Sequence, residues 1–214
     1  KAFGSARRMI EAGIIDAAVV GGVDTLCLTT LYGFHSLEVL SAEPCRPFDP
    51  ERSGISIGEG AAFALLARGD AGVALLGVGE SSDAHHMSAP HPEGLGARIA
   101  MQAALHDARL AADAVDYINL HGTATPANDA TEALAVTALF GRPVACSSTK
   151  GATGHALGAA GAIEAVIAAL ALERGLIPGS AGTRTVDAAL LPGYRLHPER
   201  APLQHVLSNS FGFG

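Results

Sequence analysis

Two short stretches of the sequence place ionisable side chains among glycine and threonine. The first, residues 147–155, reads SSTKGATGH and puts Lys150 five positions before His155, just ahead of the apolar run 156–172. In the second, His121 directly follows the apolar run 117–120 and begins the segment HGTAT. Glycine lets a bound molecule approach the backbone closely. A strand that ends in one histidine and a loop that carries a lysine and a second histidine can therefore converge on one oxygen atom.

Two neutral imidazole N–H groups that point at one carbonyl oxygen would stabilise negative charge there, as an oxyanion hole does. Removing such a donor typically raises the barrier by about 3 kcal/mol. The competing interpretation is a metal site, but the histidines have no H-x-x-H, H-E-x-x-H or cysteine-cluster context, so we predict none. Histidines in predicted loops or at element edges are expected to have solvent or structural roles: His35, His85, His86, His91, His197 and His205.

A buried lysine in this site needs a counter-charge. The available carboxylates are Asp129 and Glu164. Glu164 follows His155 by nine positions, and its neighbours at 162, 163 and 165–167 are all apolar. Because a buried acid on an apolar helix is unusual unless it is paired, we expect Glu164 to be paired and not to face solvent.

Composition and charge limit the classes of function. The chain has 214 residues, of which 49% are hydrophobic and 16% charged. This composition indicates that a large apolar area is buried on folding. A net charge of -7 argues against a general nucleic-acid binder. Every stretch of about 20 apolar residues is interrupted by glycine or charge, so we expect no membrane span.

The three cysteines, Cys27, Cys45 and Cys146, have no C-x-x-C spacing and no even count. We expect free thiols and a cytoplasmic protein. Although the segment ACSS around Cys146 looks like a nucleophile motif, Cys146 ends a short apolar segment. We therefore predict a small buried residue at the end of a strand.

Hydrophobic periodicity predicts alternating helices and strands, which indicates an α/β layered fold with a largely parallel sheet. Helices are predicted at 1–13, 96–110, 127–140 and 156–173, and the segment 25–40 is ambiguous between helix and loop. Strands are predicted at 16–23 (buried, of the parallel-sheet kind), 55–67, 72–78, 117–120, 144–147 and 205–209. Residues 44–54 are expected to form a surface loop, and 81–94 a long loop.

Three segments carry a specific resemblance: 121–129 (HGTATPAND), 148–164 (STKGATGHALGAAGAIE) and 209–214 (NSFGFG). They resemble the C-terminal signatures of the β-ketoacyl-acyl-carrier-protein synthases of the two-histidine type, which are decarboxylating condensing enzymes with a thiolase-like fold. The resemblance implies an αβαβα layered fold that is incomplete in this chain. Residues 1–94 would belong to the N-terminal thiolase-like half and 95–214 to the C-terminal half, together forming one compact unit.

The resemblance also implies roles for individual residues. His121 and His155 would hold the malonyl thioester oxygen, and Lys150 would organise the site together with Glu164 and Asp129. Hydroxyls that match Thr123 and Thr125 hydrogen-bond the pantetheine arm in the family. Phenylalanines that match Phe211 and Phe213 form the turn beside the nucleophile in the family, and the one that matches Phe211 is the gating residue there.

The implied reaction transfers an acyl group to a cysteine and then joins it to the carbanion from malonyl-acyl-carrier protein, with loss of carbon dioxide, in fatty acid or related polyene and polyketide synthesis. The enzyme would need no cofactor of its own, because the acyl carrier protein carries the phosphopantetheine arm. Arg46 and Arg52 are candidates for binding that acidic partner. The assembly would be a homodimer or a heterodimer with a chain-length-factor-like subunit.

The nucleophilic cysteine that the resemblance implies is expected a few positions before Lys1, at the start of the helix that continues through 1–13. A helix N-terminus suits a thiolate, because the helix dipole lowers the thiol pKa. We therefore expect this chain to be the C-terminal portion of a longer synthase. The alternative is a non-catalytic, chain-length-factor-like partner subunit, in which another residue replaces that cysteine.

Overall fold

The computed structural model describes residues 1–70 and 72–212 of the chain. The helices are α1 (Ala2–Glu11), α2 (Leu28–Ser36), α3 (Leu95–Ala108), α4 (Pro126–Phe140), α5 (Lys150–Thr153) and α6 (Ala160–Arg174). The strands are β1 (Ala17–Asp24), β2 (Gly60–Ala67), β3 (Tyr117–Asn119), β4 (Ala145–Ser147), β5 (Leu176–Ile177), β6 (Glu199–Arg200) and β7 (Val206–Ser208). Short 3-10 turns lie at Ala112–Ala114 and Leu157–Ala159.

The sheet that carries the candidate site has the order β4-β3-β7, and its strands are parallel. Asn119 pairs with Ser147 on one side and with Ser208 on the other, so the strands end at the same level. Side chains of β3 and β4 share a core with α3 and α4, which includes Met101, Leu105, Ile118, Leu120, Val136, Phe140 and Cys146. Helix α6 contacts β7 as well as β1 and β2, so it lies between two sheets.

The strand predicted at 16–23 is present as β1, but the prediction that it is buried and parallel is wrong. It pairs antiparallel with β2, with Ala17 opposite Ala67, and only every second residue is covered. Val19 and Leu65 are each 72% exposed on the uncovered face. A run of alanine, valine and glycine has no polar alternation, so the sequence could not show that one face of this strand is open.

The loop 44–54 is irregular as predicted, but its centre is buried and not on the surface. Phe48 is fully buried and Asp49 is 1% exposed. The Asp49 carboxylate accepts backbone N–H groups from Glu51, Arg184 and Thr185, which ties this loop to a distant part of the chain. A sequence rich in turn-forming residues suggests that water binds such backbone groups. Here the Asp49 carboxylate accepts their hydrogen bonds instead.

Two strand predictions are wrong in part. Residues 72–78 form no strand within the described part of the chain, and in 55–67 the regular strand begins only at Gly60. Isolated bridges occur instead before it, from Ile55 to Leu40 and from Ile57 to His155. Apolar sequence predicts an extended backbone, whereas a strand also needs a neighbour with which to form its hydrogen bonds.

The helix predictions are confirmed, with small changes at the ends. Helix α4 ends before Gly141, which adopts a left-handed conformation (φ 61°), and its N-cap is Thr125, whose hydroxyl accepts the Asn128 N–H. Helix α6 begins four residues later than the predicted 156, because a 3-10 turn precedes it. No helix in the described residues has the length and apolar character needed to cross a membrane.

We expect Gly151→Ala to lower the free energy of unfolding by about 3 kcal/mol, because overpacking against rigid backbone cannot relax. A Cβ at Gly151 would lie 1.7 Å from the Ala181 carbonyl oxygen. The matched control is Gly33→Ala in α2, where a Cβ meets nothing within 4 Å and helix propensity should add about 1 kcal/mol of stability. Urea unfolding measures both, and equal stabilities of the two variants would contradict the packing of α5.

Candidate active site

The parallel strands deliver the candidate residues to one edge of the sheet. His121 follows the end of β3, Lys150 opens α5 just after β4, and Phe211 follows β7. Because neighbouring parallel strands end level, the segments after them meet at the same place. His155 joins them from the turn after α5, where its backbone N–H bonds to Ser56 and its carbonyl accepts from Gly58.

The structure brings the two histidines and the lysine together. The imidazole rings of His121 and His155 have centroids 5.2 Å apart and are nearly perpendicular, at 83°. Lys150 Nζ lies 3.3 Å from His121 Nδ1 and donates to the His121 carbonyl oxygen at 2.6 Å. The Phe211 ring packs edge-on against His121, with centroids 5.6 Å apart.

Lys150 forms a buried ion pair with Glu164. Each residue is 1% exposed, and Lys150 Nζ bonds to Glu164 Oε1. Burial raises the pKa of the Glu164 carboxyl, whereas the Lys150 charge and hydrogen bond lower it. Each of these buried charges compensates the other. Removing one partner would leave an uncompensated buried charge, which is strongly unfavourable.

Both imidazoles are held in one tautomer. The Leu157 N–H donates to His155 Nδ1 at 3.2 Å, and the Lys150 ammonium faces His121 Nδ1. An Nδ1 atom that accepts a hydrogen bond leaves the ring proton on Nε2. Burial lowers the pKa of His155 to about 3 and that of His121 well below its ordinary value, and in both the Lys150 charge lowers it further. At about pH 7 the pair therefore offers two neutral Nε2–H donors.

The resemblance implies that Asp129 organises the site together with Lys150. In the structure, however, the Asp129 carboxylate is hydrogen-bonded to the backbone of other residues. Its carboxylate accepts the N–H of Phe48 at 2.8 Å and that of Ala124 at 3.2 Å. Both residues have left-handed backbones, with φ of 60° and 67°. Arg52 Nε lies 3.8 Å away, and burial raises the Asp129 pKa to about 6. Asp129 thus fixes two strained turns, one of them between Thr123 and Thr125.

Glu132 is a site residue that was not predicted from the sequence, and it holds the backbone that carries His121. Its carboxylate accepts the N–H of His121 at 2.9 Å, the N–H of Gly122 at 2.8 Å and the Asn209 side-chain amide at 3.0 Å. Burial raises its pKa. The sequence carried the same signal for Glu132 as for Glu164, namely an acidic residue beside apolar residues of a predicted helix. For Glu132 these apolar residues are 133–136.

The remaining predicted site residues have distinct environments. The hydroxyls of Thr123 and Thr125 bond to each other at 2.9 Å, beside His121 in the chain. Phe213 lies outside the described residues. Cys146 is fully buried and burial raises its pKa, as expected for a strand residue that is not a nucleophile.

The two arginines suggested for partner binding differ. The Arg52 side chain is only 10% exposed and bonds to the Asp49 carbonyl oxygen and the Asp187 carboxylate, so it supports the fold. Arg46 is paired with Glu51, whose side chain is 74% exposed. In the described ranges 1–70 and 72–212, no group of three His, Cys, Asp or Glu side chains is arranged to hold a metal ion.

Comparison with known proteins gives two family matches. Residues 1–71 match the family described as Beta-ketoacyl synthase, N-terminal domain, and residues 73–184 match Beta-ketoacyl synthase, C-terminal domain. The chain is 38% identical to the mitochondrial 3-oxoacyl-[acyl-carrier-protein] synthase of Arabidopsis thaliana, over 99% of the chain and 51% of that protein. It is 37% identical to 3-oxoacyl-[acyl-carrier-protein] synthase 2 of a Synechocystis strain, over 100% of the chain and 56% of that protein.

A solved structure gives the same result for the fold. The ketosynthase ApeO, in complex with its chain length factor ApeC from Xenorhabdus doucetiae, is similar with a TM-score of 0.92 and 49% identity, over 99% of this chain and 54% of that one. The expected thiolase-like fold is confirmed. The chain spans about half of the length of the curated relatives it matches.

We expect both site imidazoles to stay neutral, with the proton on Nε2, from about pH 8 to about pH 5, whereas free histidine protonates near pH 6.5. Ring-nitrogen NMR shifts of His121 and His155 measure this, with free histidine in the same buffer as control. Because the His155 pKa is lower in the folded than in the unfolded state, its contribution to stability is lost as the pH falls from about 6.5 to about 3. A titration midpoint near 6.5 for either ring would contradict the assignment.

Proposed function

The chain belongs to the β-ketoacyl synthase family, and we propose that it supplies the malonyl-activating part of a decarboxylating condensing enzyme. The substrate would be a malonyl thioester on an acyl carrier protein, and the product a 3-oxoacyl thioester, in fatty acid synthesis or a related polyene or polyketide pathway. The observation that carries the proposal is the pair of neutral histidine donors beside a buried lysine.

The two Nε2–H groups would bind the malonyl thioester oxygen. The bond between the α-carbon and the carboxylate then breaks, and carbon dioxide leaves. The electron pair of the broken bond stays with the α-carbon and delocalises into the thioester, which forms an enolate. Negative charge then grows on the oxygen that His121 and His155 hold. Preorganised donors stabilise this charge more than they stabilise the neutral ground state, so they lower the barrier. The enolate carbon then attacks the acyl thioester and displaces the thiolate of the acylated cysteine.

Lys150 would act through His121 and not as a proton donor to the substrate. Its Nζ faces His121 Nδ1 and the His121 carbonyl oxygen, with Glu164 as its counter-charge. This arrangement prevents a proton from residing on Nδ1 and keeps Nε2 as the donor. The lysine charge also disfavours an imidazolium, which keeps the ring neutral.

The acyl-accepting nucleophile is none of the cysteines in residues 1–214. Cys45 and Cys146 are buried, and the Cys45 thiol donates to the Lys150 carbonyl oxygen. Cys27 is the N-cap residue of α2, and its thiol contacts the Thr30 hydroxyl at 3.1 Å. The alternative function, a non-catalytic chain-length-factor-like partner, would have no use for the retained histidine and lysine set, so the geometry favours the enzyme.

An acyl carrier protein is the proposed substrate carrier, with its phosphopantetheine arm entering beside Thr123 and Thr125 and no other cofactor. The curated relatives are named 3-oxoacyl-[acyl-carrier-protein] synthases, which supports this carrier. The protein would form a homodimer, or a heterodimer with a chain-length-factor-like subunit; ApeO is found in complex with its chain length factor. Free cysteines in the described residues support a cytoplasmic location.

His121→Ala and His155→Ala should each lower the rate of malonyl-carrier-protein decarboxylation by about 100-fold to 1,000-fold, because each removes one oxyanion donor. The measurement is carbon dioxide release by the full natural protein. His35→Ala, an exposed residue of α2, is the matched control and should keep the unsubstituted rate. Decarboxylation at the normal rate in either site variant would contradict the proposed role of that histidine.

A further inference from the structure

Ser210 lies between two residues that the structure fixes at the site. On one side, the Asn209 N–H donates to the Asn119 carbonyl oxygen at 2.9 Å, and the Asn209 amide bonds to the buried Glu132. On the other side, the Phe211 ring packs against His121. The Ser210 backbone is therefore held at the end of β7, close to the residues that carry the proposed chemistry.

The Ser210 hydroxyl reaches the Lys150–Glu164 pair. Although Ser210 is an exposed residue, its Oγ donates to Glu164 Oε2 at 3.3 Å. Lys150 bonds to the other oxygen, Oε1, so the two donors occupy different atoms of one carboxylate. Gly161 on α6 leaves room for this approach, since a Cβ there would lie 3.1 Å from Ser210 Oγ.

A carboxylate that is bonded at both oxygens cannot rotate freely, and its ionised form is favoured. Glu164 is an effective counter-charge for Lys150 only while it is ionised and directed at Nζ. Lys150 in turn determines which nitrogen of His121 carries the proton. A short chain of contacts therefore connects Ser210 to the His121 donor through Glu164 and Lys150.

We propose that Ser210 is a positioning residue, which acts through Glu164 and Lys150 to keep His121 in its donor form. The inference rests on the proposed function, because it assigns Ser210 a part in the same decarboxylation site. Ser210 touches neither the substrate nor the reacting atoms in this role. Its contribution is to the orientation and ionisation of Glu164.

The first test compares Ser210→Ala with Ser210→Thr in the full natural protein, with malonyl-carrier-protein decarboxylation as the assay. Loss of a hydrogen bond to a charged group should lower kcat about threefold to tenfold in Ser210→Ala, with KM unchanged. Ser210→Thr retains a hydroxyl and should stay within about twofold of the unsubstituted enzyme. Because Ser210 is exposed, both variants should fold, which circular dichroism verifies.

The pH profile separates positioning from a general loss of structure. The Ser210 hydrogen bond lowers the pKa of Glu164, so its removal raises that pKa. The ionised pair should then be lost at a higher pH, and the acid limb of kcat should move upward in Ser210→Ala but not in Ser210→Thr. The other titratable groups near Glu164 are Lys150 on α5 and Tyr117 on β3, with His121 beyond the lysine.

A double-mutant cycle with Glu164→Gln tests the route. If Ser210 acts through Glu164, Ser210→Ala should have no further effect on kcat in the Glu164→Gln background. Equal fold-losses in both backgrounds would overturn the inference. So would an unsubstituted kcat and pH profile in Ser210→Ala, or equal losses in the alanine and threonine variants. The proposed function fails separately, if the unsubstituted protein releases no carbon dioxide from malonyl-carrier protein.

Discussion

The buried ammonium of Lys150 is the constraint on which the site depends. An ammonium has three N–H donors and no acceptor, and removing it from water is costly unless every donor is used. Here the three acceptors are Glu164 Oε1, the His121 carbonyl oxygen and His121 Nδ1. Satisfying the charge therefore fixes three things together: the α6 carboxylate, the backbone after β3 and the tautomer of the imidazole. The Nε2–H donor of His121 is therefore a consequence of how this lysine is buried.

Two further buried carboxylates serve the loops around that centre. The Glu132 carboxylate accepts hydrogen bonds from the backbone N–H groups of His121 and Gly122. The Asp129 carboxylate accepts those of Phe48 and Ala124. In each case an acidic side chain of α4 replaces water for backbone donors that form no helix or sheet hydrogen bond. Loops held in this way would need little rearrangement if charge developed on a bound substrate, which is what preorganisation requires.

The sequence predicted the parts of the structure that local patterns determine. The helices, the strands β3, β4 and β7, and the convergence of His121, Lys150 and His155 follow from periodicity and from loops at the ends of strands. The pairing of β1, the burial of Phe48 and the location of Asp129 depend on residues distant in the chain, such as Arg184, so no local pattern could show them. Glu132 was within reach, because its apolar neighbours are as informative as those of Glu164.

The most direct measurement of the central claim is a double-mutant cycle on the free energy of unfolding, with Lys150→Met and Glu164→Leu. Each single substitution leaves one buried charge without its partner and should cost about 3 to 5 kcal/mol. The double substitution removes both charges and should cost less than either single one, which gives a large coupling energy. Additive losses would contradict the account, because they would mean that the lysine and the glutamate do not stabilise each other in the folded protein.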